Sequence, residues 1–165
     1  MPKTPDVAPL LAVLRRHRVR FVLVGGVAAV VEGAPVVTFD VDVVPDRSAA
    51  NIGRLVAALT EVKARYRTRP ELNRAPSATD LSGPGHHLLT TAFGPLDVLG
   101  VIGRERSYDD LMPTARRRKL GDSFVWVLDL ETQIAIKKEL GFAKDRAALP
   151  VLEATLRQRR RRRRS

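Results

Sequence analysis

The chain has no cysteine. A disulfide scaffold, a Cys-ligated zinc or iron–sulfur centre and a thiol nucleophile are therefore excluded. Aromatics are scarce, at 5%, with one tryptophan. No apolar run reaches the roughly 18 residues of a membrane-spanning helix. Residues 1–6 lack the charged-then-apolar order of a secretory signal, so a cytoplasmic protein is expected. Enough is present for a core: 44% of the 165 residues are hydrophobic, which excludes wholesale disorder and suits one domain.

Charge is unevenly spread. Lys and Arg number 29 against 18 Asp and Glu, a net +11, and Arg157 with Arg159 to Arg164 supplies seven of these positive charges. Residues 157–165 are expected to be a disordered, solvated Arg-rich tail on a single domain spanning 1–156. The tail is either a solubilising appendage or a phosphate anchor, with Arg157, Arg159 and Arg160 as its nucleic-acid contacts.

Periodicity predicts a helix over 7–17, capped by Asp6, with Leu10, Leu11 and Leu14 on one stripe. A buried strand follows over 20–24, then the Gly25-Gly26 turn and a short helix over 27–32. A second strand is read over 36–44 and a Ser48-capped helix to about residue 65. Residues 66–85 read as a long polar loop, with or without a short irregular strand. Strands are predicted over 86–91, 96–102 and 123–128, a short helix over 108–112, an Asp129-capped helix to 140, and a last helix from 143. Arg116-Arg117-Arg118-Lys119 reads as charge on a sheet edge, and Trp126 as core. Strands alternating with helices early and clustering later imply an α/β (α+β) fold, a mixed sheet flanked by helices.

The chemistry concentrates in Thr38-Phe39-Asp40-Val41-Asp42. On a strand Asp40 and Asp42 share a face, their Cα atoms about 6.6 Å apart, while Phe39 and Val41 turn to the core. Two carboxylates so placed repel, and a divalent cation compensates; hard oxygen ligands favour Mg²⁺ or Mn²⁺. The plainer reading is an edge strand showing two acids to water. Asp97 stands alone among apolar residues, which is costly unless it is paired or metal-bound. If its strand adjoins that of Asp40 and Asp42, three carboxylates meet as in a two-metal phosphoryl-transfer site; otherwise Asp97 is an acid at a strand end. His86 and His87 face opposite ways and share no metal. Arg65, Arg67, Arg69 and Arg74 read either as a solvated loop or as nucleic-acid contacts.

Taken together, the order strand, Gly25-Gly26, helix, Gly33, Thr38-x-Asp40-x-Asp42 and a later strand Asp97 resembles the nucleotidyltransferase fold of the polymerase-β type. More narrowly, Phe21 to Ala28 with Thr38 to Asp42 looks like the AbiEii-like and minimal nucleotidyltransferases of toxin–antitoxin and phage-defence loci. Asp129 to Lys138, with Lys144-Asp145, is similar to that group's C-terminal signature. The resemblance implies that Gly25, Gly26 and Thr38 bind the nucleotide and that Asp40, Asp42 and Asp97 hold metal. Asp97 would also help deprotonate the acceptor hydroxyl, Lys137 would touch triphosphate, and Asp145 would orient Lys137 or act in the site itself. Without the resemblance, Lys137 reads equally as a solvated helix lysine and Asp145 as a helix cap. Val36 departs from the group, which often carries Arg two residues before that Thr.

The expected activity is metal-dependent transfer of an NMP from an NTP to a hydroxyl. The acceptor would be an RNA 3′ end, tRNA included, or a cognate toxin or antitoxin protein. The alternative is a catalytically silent module of the same fold that binds nucleic acid or a partner protein.

Overall fold

The structure, a computed structural model, describes residues 6–165; most of the segment read for signal architecture lies outside the described residues. In chain order the elements are α1 (Val7–Arg16), β1 (Phe21–Val24), α2 (Gly25–Val31), β2 (Val41–Pro45), α3 (Ala49–Glu61), β3 (Arg65–Tyr66), α4 (Ala78–Leu81), β4 (His86–Thr91), β5 (Gly94–Leu99), α5 (Tyr108–Leu111), β6 (Ala115–Leu120), β7 (Ser123–Leu128), α6 (Leu130–Leu140) and α7 (Ala143–Arg164). Short 3-10 turns occupy Pro70–Leu72 and Met112–Thr114.

The strands form one mixed sheet in the order β3-β4-β5-β2-β1-β7-β6. β1 runs antiparallel to β2 and parallel to β7, and β2 runs parallel to β5. Alternation sorts the side chains onto two faces. Leu23, Val43, Leu96, Val98 and Val127 meet the buried stripes of α1 and α3, among them Leu10, Leu14, Ile52, Leu55 and Leu59. Val22, Val24, Val44 and Leu128 face the other way, against Tyr108 and Leu111 of α5 and Ile136 of α6. The α/β reading holds. No helix among the described residues is long and apolar enough to cross a membrane.

Several expectations need correction. The second strand starts at Val41, not at residue 36. Residues 34–40 run without regular structure, so Phe39 is 46% exposed rather than in the core. The third helix stops at Glu61, and the supposed loop holds β3, a 3-10 turn and α4 with its Ser77 capping box. Trp126 is 42% exposed, because its strand neighbours Val125 and Val127 take the core-facing positions. Asp6 makes no side-chain cap on α1; its N–H goes instead to the Phe93 carbonyl. Ser48 likewise makes no side-chain cap on α3.

The Arg tail is helical to Arg164 rather than disordered. Leu152, with Leu149 and Leu156, packs against Leu130 and Ile134. Arginine is a good helix former and suits a helix C-terminus, so the packed part propagates outward. Arg159 pairs with Glu32, which is 3% exposed and also takes Arg118 at 2.7 Å. Burial alone would raise the Glu32 carboxyl, but the hydrogen bonds from Arg118 and Arg159 outweigh it and hold it below its usual range.

Candidate functional site

The parallel pairing of β2 with β5 sets Asp42 directly beside Asp97, and β1 sets Val24 on the other side of Asp42. All three point to the face that carries α6. Side by side on parallel strands, Asp42 and Asp97 lie about 4.8 Å apart at the backbone. Asp97 is 8% exposed. Burial, then the charge of Asp97 and a proton shared with it, push the Asp42 carboxyl from 3.8 up to about 7; Asp40 adds to the rise and Arg67 opposes it.

Arg67, just past β3, is the cation set into this group. Its N–H donates to the Leu88 carbonyl and its Nη1 to the Leu89 carbonyl. Nη1 stands 2.6 Å from Asp97 Oδ1, and Nη2 stands 3.7 Å from Asp40 Oδ2. The first contact is an ion pair without hydrogen-bond alignment, so Asp97 Oδ1 is a buried carboxylate oxygen with no donor aimed at it.

Asp40 precedes β2, and its side chain is 41% exposed. It therefore meets the other two acids through Arg67 rather than on a shared strand face. Among the described residues no three acidic or histidine side chains already form a metal-holding cluster.

A cavity of about 530 Å³ opens over Asp42 and Asp97, within the range of small-ligand sites. Gly25 and Gly26 form one wall, and Gln133, Lys137, Lys144 and Asp145 the other. The glycines are required sterically. A Cβ on Gly25, whose φ is +69°, would fall 2.2 Å from Asp42 Oδ2, and one on Gly26 would fall 2.6 Å from Thr38. Thr38 lies on Gly26 and donates its hydroxyl to the Asp40 carbonyl at 3.0 Å, which ties the irregular segment to the cavity wall. Gly26→Ala is expected to push Thr38 and Asp40 away and to lower the melting temperature by several degrees, a loss of about 1–3 kcal/mol. A calorimetric scan unchanged from wild type would show that this packing is slack.

Lys137, in the last turn of α6, reaches Asp145 in the first turn of α7 at 3.2 Å. Asp145 is 5% exposed, and its Oδ2 lacks a hydrogen-bond partner. Asp129 caps α6 through the Thr132 N–H at 2.9 Å, and Gly141 ends it in the left-handed region. The two helices thus fold back at Gly141 and bring Lys137 and Asp145 together. His86 bonds the Val101 carbonyl and His87 bonds the Tyr66 hydroxyl, so they share no partner. At the far end of α7, Arg159 is taken by Glu32 and Arg160 lies 3.8 Å from Glu131, while Arg157 is exposed. Arg159 is therefore a structural tie rather than a free phosphate contact.

The sequence brings Asp42, Asp97, Gly25, Gly26, Lys137 and Asp145 to one cavity. It gives little warning of Arg67, one of four arginines in a polar stretch. The available signal is the need of a buried acid such as Asp97 for a cation.

The solved structure of a Thermotoga maritima protein (TM1012), described as a candidate nucleotidyltransferase, is similar to this chain. The TM-score is 0.55 at 16% identity, with 86% of each chain covered. At this identity the likeness is one of fold. No family model matches the chain, and no curated protein matches its sequence.

Proposed function

We propose that the chain is a metal-dependent nucleotidyltransferase that moves an NMP from an NTP to a hydroxyl acceptor, within a system of the toxin–antitoxin or phage-defence kind. The observation that carries this reading is the Asp42–Asp97 pair, held in register on adjacent strands at the floor of a cavity with a lysine on its wall. The residues fit a divalent ion in charge and donor type. They offer hard oxygens, mutual repulsion that keeps a proton on Asp42 up to about pH 7, and a buried Asp97 oxygen with no donor aimed at it. Asp42 and Asp97 would hold Mg²⁺ or Mn²⁺, with Asp40 joining once Arg67 gives it up. When bound, the ion supplies charge neutralisation on the phosphates.

The chain's own residues do the rest. Gly25 and Gly26 leave the backbone bare for close approach of phosphate oxygens. Lys137, kept in place by Asp145, meets the triphosphate charge. The acceptor oxygen forms a bond to the α-phosphorus, the bond from that phosphorus to the bridging oxygen breaks, and pyrophosphate leaves. The acceptor proton passes to Asp97. The basic surface favours an RNA 3′ end, tRNA included, over a partner protein as acceptor.

One observation favours a silent binder. Arg67 already neutralises Asp40 and Asp97, so the acids are partly satisfied without metal, and Val36 offers no cation to a triphosphate. Incubation with each α-labelled NTP, total RNA and candidate partner proteins separates the two readings. Wild type is expected to label one acceptor and release pyrophosphate, whereas Asp40→Ala/Asp42→Ala is expected to do neither. Equal labelling by the double variant would defeat the assignment of these carboxylates.

A further inference from the structure

The β6–β7 hairpin at the sheet edge carries a feature that packing does not explain. Register sets Arg117 opposite Trp126 and Lys119 opposite Phe124. Residues opposite each other in an antiparallel pair share a face, so two aromatics and two cations stand together. Phe124 is 50% and Trp126 42% exposed, while the alternate residues Val125 and Val127 are buried. The Arg117 guanidinium lies 4.0 Å from the Phe124 ring centroid. Arg116 and Arg118, which point the other way, are taken by Asp129 and Glu32; among the described residues no acid pairs with Arg117 or Lys119. Edge cations discourage aggregation, but that does not account for two large exposed rings beside them.

We propose that this face is a stacking platform for single-stranded nucleic acid. Trp126 and Phe124 are two residues apart on one strand, about 6.6 Å. The Arg117 guanidinium starts opposite Trp126 and already lies on the Phe124 ring, so bases stack on the open plane of that guanidinium and on the Trp126 ring. Aromatic rings and guanidinium planes are the surfaces on which unpaired bases stack. Lys119 takes the backbone phosphate. A groove of about 410 Å³ continues the platform past Met112 and Tyr108 to Arg15 and Arg20. An acidic protein segment would be served by the cations alone and would leave the two rings without a purpose.

The platform and the carboxylates occupy the same face of the sheet. Leu128, two residues beyond Trp126, joins Val22 and Val24 in the apolar cluster on that face, and Val24 pairs with Asp42. Two strand spacings and two residues separate Trp126 from Asp42, roughly 12 Å. A strand of three or four stacked nucleotides spans that distance. The role of this strand as the acceptor rests on the transferase reading; its binding does not.

Trp126 is the only tryptophan, so it reports on its own occupancy. The full chain, without NTP, is titrated with a single-stranded octauridylate while tryptophan emission is followed. Quenching that saturates is expected, with affinity weakened about tenfold in Phe124→Ala and in Arg117→Ala. A thermal scan of both variants confirms that they fold. Asp40→Ala/Asp42→Ala is expected to quench as wild type does, so a failed transferase assay and a failed platform are told apart. Binding without quenching, or equal quenching by an RNA duplex with Phe124→Ala neutral, would overturn the proposal in favour of phosphate contacts alone. Quenching by polyglutamate but not by the oligonucleotide would overturn it in favour of a protein partner.

Discussion

Replacing Asp42 with Asn is expected to make the metal-free protein more stable at pH 8, not less, although it removes a residue of the cavity floor. The folded carboxyl is raised to about 7 from 3.8. A group raised in this way contributes stability that is fully present below about pH 4 and is lost as pH rises through 7. At pH 8 the wild type therefore carries an ionised Asp42 beside Asp97, at a cost approaching about 4 kcal/mol. Asn carries no charge and donates its amide to Asp97. The expected gain in EDTA is about 5–10 °C in melting temperature at pH 8, shrinking toward zero near pH 4. Mg²⁺ should narrow the gap at pH 8 by raising the wild type, because an ion that binds only the folded state stabilises it. A difference that does not change with pH would mean that the two carboxyls are not coupled.

Removing Arg67 is expected to act in the opposite direction. The guanidinium is the only cation in contact with Asp97 and Asp40 among the described residues, and its loss strands the buried Asp97 charge. Breaking a fully buried pair costs about 3–5 kcal/mol. Arg67 is 28% exposed, so screening reduces this to about 2 kcal/mol, or about 4–8 °C at pH 8. Asp97→Asn added to Arg67→Ala is expected to recover most of the loss, since the stranded charge is gone. Mg²⁺ is expected to recover it without any second substitution. If Arg67→Ala melts with the wild type, the contact is a surface ion pair with no part in holding the acids.

These opposite signs show which parts of the site were legible in the sequence. Asp42, Asp97 and the glycines were readable because each breaks a local rule: an acid in an apolar strand, or a glycine pair where a strand meets a helix. Lys137 and Asp145 became visible through the resemblance and meet because Gly141 turns α6 back onto α7. Alternation puts Asp40 on the strand, but β2 starts one residue later. Thr38 bonding and the Gly26 contact, both tertiary, shape the segment before it. Arg67 was hidden because nothing local distinguishes it from Arg65 or Arg69; its role arises when β3 joins β4 at the far edge of the sheet. The exposure of Trp126 is hidden from the sequence for a related reason. Its strand is near the edge, and only pairing with a basic edge strand shows that one face lies open.

A nucleotide site built on Asp42 and Asp97 depends on a bound cation. Calorimetric titration with each NTP, with and without Mg²⁺, tests it most directly. Saturable binding of at least one NTP is expected with Mg²⁺, much weaker binding in EDTA, and none in Asp42→Asn. Binding of equal strength with and without the metal, unchanged in Asp42→Asn, would mean that these carboxylates hold no ion for a nucleotide and that the fold serves something other than transfer.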